Sequence, residues 1–176
     1  MQRYGDFGTP TIPYACYTVY HTRGIFKNLL SKCGVCREKY VSLPHVYLKF
    51  YDMKVISTIS APGAIGPYSQ AIQVGNLVYT SGQIPINPAT GAFPDGGIQA
   101  QARQSLDNVR AILEEAGLSM NNVVKTTVFL ADMNDFAEVN SIYAEFFSEP
   151  YPARSAVAVK TLPKGALIEI EVVACK

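Results

Sequence analysis

A carboxylate stands inside an apolar run toward the C-terminal end of the sequence, Leu167-Ile168-Glu169-Ile170-Glu171-Val172. Half-burying such a group is costly unless it is paired, and its pKa is driven upward. A carboxyl in that state holds or activates water. Arg154 is the second group of interest. It opens a β-prone stretch just after Pro152, and a guanidinium so placed grips a substrate carboxylate through two parallel hydrogen bonds. Two weaker signals lie upstream. Gly66-Pro67-Tyr68 is a turn that presents an aromatic hydroxyl, and in Ser81-Gly82-Gln83 the glycine lets backbone N–H groups approach a ligand. Each has an ordinary alternative. Alternation along a strand commonly turns polar side chains outward, so Glu169 and Glu171 also fit a solvated face. Arg154 also fits a weak surface ion pair, and Tyr68 and Gly82 also fit turn formation alone.

What the sequence lacks narrows the chemistry. Residues 53–176 contain no histidine, and their one cysteine is Cys175. That removes Ser-His and Cys-His nucleophilic arrangements and histidine-based metal sites from this region. There is no GxGxxG and no P-loop to cradle a nucleotide. Acid-base work is left to carboxylate, Tyr, Lys and Arg, and neither a metal nor a cofactor is expected.

The elements that must position these groups read as a compact α+β unit. Val55-Ile56 is a short apolar start, and Ala61 to Pro67 is a loop by its Pro and Gly content. Ser69 to Val74 and Leu77 to Ser81 are predicted strands joined by a Gly75-Asn76 turn. A second long loop holds Pro85, Pro88, Gly91, Pro94, Gly96 and Gly97. Ile98, Ala102, Leu106, Val109 and Leu113 recur at helical steps and predict a helix over 97–116. Asp95 is available near its start and Gly117 suits its C-terminal cap. Val123 to Leu130 is β-rich. Asn134 is the expected cap of a second helix, 135–147, with Phe136, Val139, Tyr143 and Phe146 on one side. The stretches 154–160 and 167–174 alternate as strands. The order β-β-β-α-β-α-β-β predicts a mixed sheet with both helices on one face. A simple hairpin near Pro163 would set Arg154 opposite Val172, not Glu169, so the two charges need another register or a subunit boundary to converge.

Composition changes near Met53. Residues 1–52 hold seven Lys/Arg against three Asp/Glu, whereas 53–176 hold eight against eleven. The first segment also has seven of the eleven Tyr, three of the four Cys and both His. We expect a boundary there, with 1–52 an N-terminal extension of unknown role, either non-native or targeting. Cys16, His21, Cys33, Cys36 and His45 are ligand types that zinc prefers, but only Cys33–Cys36 has CxxC spacing, which argues against a zinc site. The extension is basic and acid-poor like a mitochondrial transit peptide, yet low in Ser and rich in Tyr. No run approaches the roughly 18 apolar residues of a membrane span. The net charge of +1 points to neither nucleic acid nor membrane. The cytoplasm is the expected compartment, with mitochondria the alternative if 1–52 act as a transit peptide.

Taken together, several stretches resemble the Rid family (the RidA/YjgF group). They are Ala61-Pro62-Gly63-Ala64-Ile65-Gly66-Pro67-Tyr68-Ser69-Gln70, Ser81-Gly82-Gln83-Ile84-Pro85, Val123 through Met133, Phe136-Ala137-Glu138-Val139-Asn140, Pro152-Ala153-Arg154-Ser155, Leu162-Pro163-Lys164 and Ile168-Glu169-Ile170-Glu171. The resemblance spans nearly all of 53–176 in order and none of 1–52. It implies a chorismate-mutase-like fold, a homotrimer with ligand clefts between subunits, and hydrolysis of reactive 2-imino acids, such as 2-iminobutanoate and 2-iminopropanoate, to 2-oxo acids and ammonia without a cofactor. It implies that Arg154 clamps the substrate carboxylate, that Glu169 positions the attacking water, and that Tyr68, Ser81, Gly82 and Asn140 line the cleft. One departure stands out: many members carry Cys two residues after the arginine, where this chain has Ala156, so thiol-based roles are in doubt. Rival expectations are a trimer that binds a small carboxylate without turnover, an RNA-directed regulator, and a chorismate mutase suggested by fold analogy alone. The net negative charge of 53–176 argues against RNA.

Overall fold

The computed structural model describes residues 53–176; the zinc, transit-peptide and boundary readings of residues 1–52 lie outside the described residues. Six strands and two helices make up the described part: β1 (Met53–Ile56), β2 (Ala71–Val74), β3 (Leu77–Thr80), α1 (Gly97–Glu115), β4 (Val123–Leu130), α2 (Phe136–Phe146), β5 (Ala153–Ala158) and β6 (Ile168–Cys175). The strands form one mixed sheet in the order β1-β2-β3-β6-β4-β5. Only β4 and β5 are parallel, because α2 carries the chain back across the sheet between them. Both helices pack on one face, giving the expected α+β architecture.

The core lies between helices and sheet. Leu106, Val109, Ile112 and Leu113 of α1 meet Val128, Leu130, Ile168, Ile170 and Val172, all fully or nearly fully buried. Alternation decides the other face. On β6, Ile168, Ile170, Val172 and Ala174 point to the helices, and Glu169, Glu171 and Val173 point away. The register extends that outward face into rows: Val55, Ile72, Tyr79, Val173, Lys125 and Ala153 in one, Glu169, Phe129 and Val157 in another.

Local chemistry differs from expectation at three places. Asp95 does not cap α1; the chain enters it through Gly96 at φ 111°, with no side-chain capping bond, so glycine's freedom at positive φ substitutes for a capping carboxylate. Asn134 does not cap α2. Asp132 instead accepts from the Asn134 N–H and opens a 3₁₀ turn over Met133–Asp135 that leads into α2. The third difference is the missing hairpin: β5 and β6 are not paired, because β4 lies between them. Arg154 and Val172 nevertheless share a row, since both pair with Thr126 of β4. The Gly75-Asn76 turn forms as expected, with Val74 opposite Leu77 and Gly75 at φ 60°.

Candidate active site

Arg154 sits on β5, an edge strand, in the row of the buried Thr126 and Val172, and therefore projects on the helix side. There α2 offers Phe136, Asn140 and Tyr143 at i, i+4 and i+7, one face of a helix. Arg154 Nη1 donates to Asn140 Oδ1 at 2.7 Å. Its guanidinium carbon lies 4.7 Å from the Tyr143 ring centroid and 5.2 Å from that of Phe136, within cation–π range. Tyr143 is itself fixed, its hydroxyl hydrogen-bonded to Thr126 Oγ1 at 3.0 Å. Desolvation pushes the Tyr143 hydroxyl above its ordinary pKa, outweighing the opposing pulls of the Thr126 hydrogen bond and the Arg154 charge. No ion pair engages Arg154 among the described residues; those formed are Arg103–Glu145 and Arg110–Asp107. The surface ion-pair alternative is thereby set aside. The side chain is exposed, held in orientation, and has donors to spare for an anion.

Glu169 occupies the opposite face, half-buried, beside Phe129. Burial pushes its carboxyl above the ordinary carboxylate range, and the like charge of Glu171 adds to the rise. The segment after β3 lies against this carboxyl. The β3–β6 ladder runs in register from Leu77↔Cys175 to Tyr79↔Val173 and resumes at Gln83↔Ile170, one residue out of step. The extra residue makes a bulge in which Ser81 and Gly82 together oppose Glu171, and Gly82 comes against the Glu169 carboxyl; such irregularities re-aim side chains beside active sites. A Cβ built on Gly82 would fall on the Glu169 carboxyl, so glycine is required for this close approach. Ser81 is anchored by its hydroxyl, which donates to Ser69 O at 2.7 Å, and by its N–H, which donates to Gln70 O. Tyr68 is half exposed in the preceding loop, its N–H bonded to Gly66 O.

The structure thus gathers the expected residues into two groups: Glu169 with Ser81 and Gly82 on the open face, and Arg154 with Asn140 on the helix face. It does not bring the two groups together within one chain. Four further residues escaped the sequence reading. Tyr143 looked like plain helix core but also supports the arginine; the polar Asn140 within its apolar stripe was the available signal. Gln70, Gln83 and Asn108 are buried carboxamides that bind loop backbone. Asn108 falls on the apolar stripe of α1 between Ser105 and Ile112, which marks it in hindsight.

Fold and site together define an α+β unit with a carboxyl group and a guanidinium prepared on opposite faces of one sheet. Residues 58–176 match the family described as Endoribonuclease L-PSP. A 2-iminobutanoate/2-iminopropanoate deaminase of Escherichia coli is 56% identical over 126 residues, covering 70% of this chain and 98% of the relative. A RutC family protein of Pyrococcus horikoshii is 58% identical over 123 residues, again 70% and 98%. Among solved structures, Escherichia coli TdcF with bound serine matches at TM-score 0.67 and 52% identity, over 70% of this chain and 98% of that one. The chain belongs to the Rid family of endoribonuclease L-PSP-type proteins.

Proposed function

We propose that the chain hydrolyses small 2-imino acids to 2-oxo acids and ammonia. The observation that carries this is the Arg154 guanidinium: oriented by Asn140, bedded on two aromatic rings and claimed by no carboxylate among the described residues. It suits a planar α-carboxylate. The 56% identity to a 2-iminobutanoate/2-iminopropanoate deaminase supports the same reading. In this scheme Arg154 fixes the carboxylate of a protonated imine. Ionised Glu169 takes a proton from water as its oxygen bonds to the imine carbon, then returns it to nitrogen. The C–N bond then breaks as the carbinol hydroxyl gives up its proton through Glu169 to the departing ammonia, and the 2-oxo acid and ammonium are released. The gain comes from orientation and from charge placed where it develops. Tyr68, Ser81, Gly82 and Asn140 line the cleft.

The catalytic unit is a homotrimer in this proposal. Two strand spacings, roughly 10 Å, and the thickness of the sheet separate Arg154 from Glu169 in one chain, too far for a small imino acid. Two copies facing each other supply one group each. The open face offers the surface for it: Val55 is 59% exposed, and Tyr79 and Val157 are each 46% exposed, an apolar area of the kind that marks an interface.

To test this, 2-iminobutanoate is generated from threonine by a dehydratase and trapped with semicarbazide. The protein is expected to suppress trapping, and Arg154→Ala and Glu169→Ala are expected not to. Absence of suppression with every imino acid tried overturns the hydrolase reading. It would leave carboxylate binding without turnover, which the solved relative with bound serine favours as second reading.

A further inference from the structure

The Ser81–Ile86 segment is held with unusual completeness. Gln83 and Asn108 are 5% and 1% exposed. Gln83 Nε2 donates to Ser81 O at 3.1 Å and Gly82 O at 3.3 Å. Asn108 Nδ2, reaching across from α1, donates to Ile84 O at 3.2 Å and Ile86 O at 2.9 Å. Its Oδ1 accepts from Gln104 Nε2 at 2.9 Å, which fixes the amide's orientation. Gln83 also exchanges both backbone hydrogen bonds with Ile170, the residue after Glu169. A β-bulge has lost regular ladder bonds and needs such substitutes to keep one shape. Here the shape matters because the bulge rests Gly82 on a carboxyl group.

We propose that Asn108 and Gln83 are positioning residues: two buried carboxamides that lock the Ser81–Ile86 backbone and so set how closely Gly82 covers Glu169. The role rests on the reading of Glu169 as the water-directing group, but its first consequence is independent of turnover. With either carboxamide removed, the bulge relaxes, water reaches the carboxyl, and its titration falls toward the ordinary glutamate range. The other titratable groups on this sheet face are Glu171 and Cys175 on β6, Lys125 on β4 and Tyr79 on β3; none is on the Ser81–Ile86 segment, so their contribution stays in place.

The test is a ¹³C-carboxyl NMR titration of Glu169, assigned with Glu169→Gln, in the full chain and in Asn108→Ala and Gln83→Met, beside the pH profile of imine hydrolysis. Gln83→Met keeps the side-chain volume and serves alone if Asn108→Ala does not fold. The expected result is a downward shift of the Glu169 midpoint by half a pH unit or more in the folded variants, about threefold or more in the ionisation constant, with the acid limb of kcat/KM moving the same way. Unchanged midpoints in folded variants overturn the proposal, since a structural role alone lowers Tm without moving the titration. Shifted midpoints in a chain with no hydrolase activity uphold the positioning role and remove the proposed function instead.

Discussion

The two faces of the sheet are prepared differently. On the helix side Arg154 is held by one hydrogen bond and two rings, above a closed core of Leu106, Val128 and Ile170. On the other side Glu169 sits among half-exposed apolar side chains, with its carboxyl raised by desolvation and by Glu171. The cation's surroundings are complete within one chain, whereas the carboxylate lies on an open, partly apolar face. A protein whose function needs both groups at one substrate therefore depends on assembly, and each face fails in its own way when altered.

Glu169→Gln is expected to lower kcat by roughly 10²- to 10⁴-fold, the usual weight of a general base, while remaining folded and assembled. Arg154→Ala is expected to act mainly on KM, so steady-state kinetics on 2-iminobutanoate separate the two faces. Refolding the two inactive variants together supplies the sharper comparison. If each site takes its arginine and its glutamate from different copies, about a quarter of sites in random mixed trimers are intact, and that share of activity returns. No recovery means that both groups come from one chain.

Tyr79→Glu places a charge in the centre of the exposed apolar row beside Val55, Ile72 and Val173. It is expected to shift the assembly toward monomer in analytical ultracentrifugation and to abolish hydrolysis without disturbing the helix-side core. Tyr143→Phe has a smaller expected effect. It leaves Thr126 without its buried partner and costs about 1–3 kcal/mol of stability, read by denaturant unfolding, with a loss of kcat/KM under about tenfold as the ring beneath Arg154 loosens. The smallest effect concerns pH. Glu169 keeps its proton in the folded chain after the unfolded chain has released its own. That stabilising difference is complete below the ordinary carboxylate value and is lost as pH rises through the raised folded value. Glu169→Gln removes this decline, so thermal melts from about pH 4 to 7 should show a flatter dependence and no lower Tm at neutrality.

Much of this was legible in the sequence. The helical steps of Ile98, Ala102, Leu106 and Val109, and the alternation of Ile168 to Ala174, are periodicities that packing obeys directly. The strand order was not legible. A sequence that places β5 just before β6 suggests a hairpin, and only the long-range pairing of Thr126 with both Arg154 and Val172 reveals β4 between them. The separation of Arg154 and Glu169 onto two faces follows from that insertion. The helix N-caps were also unreadable, since Asp95 and Asn134 are chemically suitable but a positive-φ glycine and Asp132 take their place; the C-terminal stop of α1 was legible, with Gly117 at φ 73° just past its end. Gly82 was recognised only as a residue that permits close approach; that its neighbour is Glu169 required the bulge to be seen.

The position of β6 has a further consequence, for how the polypeptide acquires its shape during synthesis. β6 follows every other strand in the sequence yet lies between β3 and β4 in the sheet. Until it emerges from the ribosome, the β1-β2-β3 meander and the β4-α2-β5 unit have no shared backbone ladder, and each presents an open strand edge to its surroundings. Joining them is a late, long-range closure, slow by its contact separation. Nascent chains are then exposed to mispairing until the final strand arrives, and substitutions in Ile168–Cys175 should reduce soluble yield more than equally buried changes in α1.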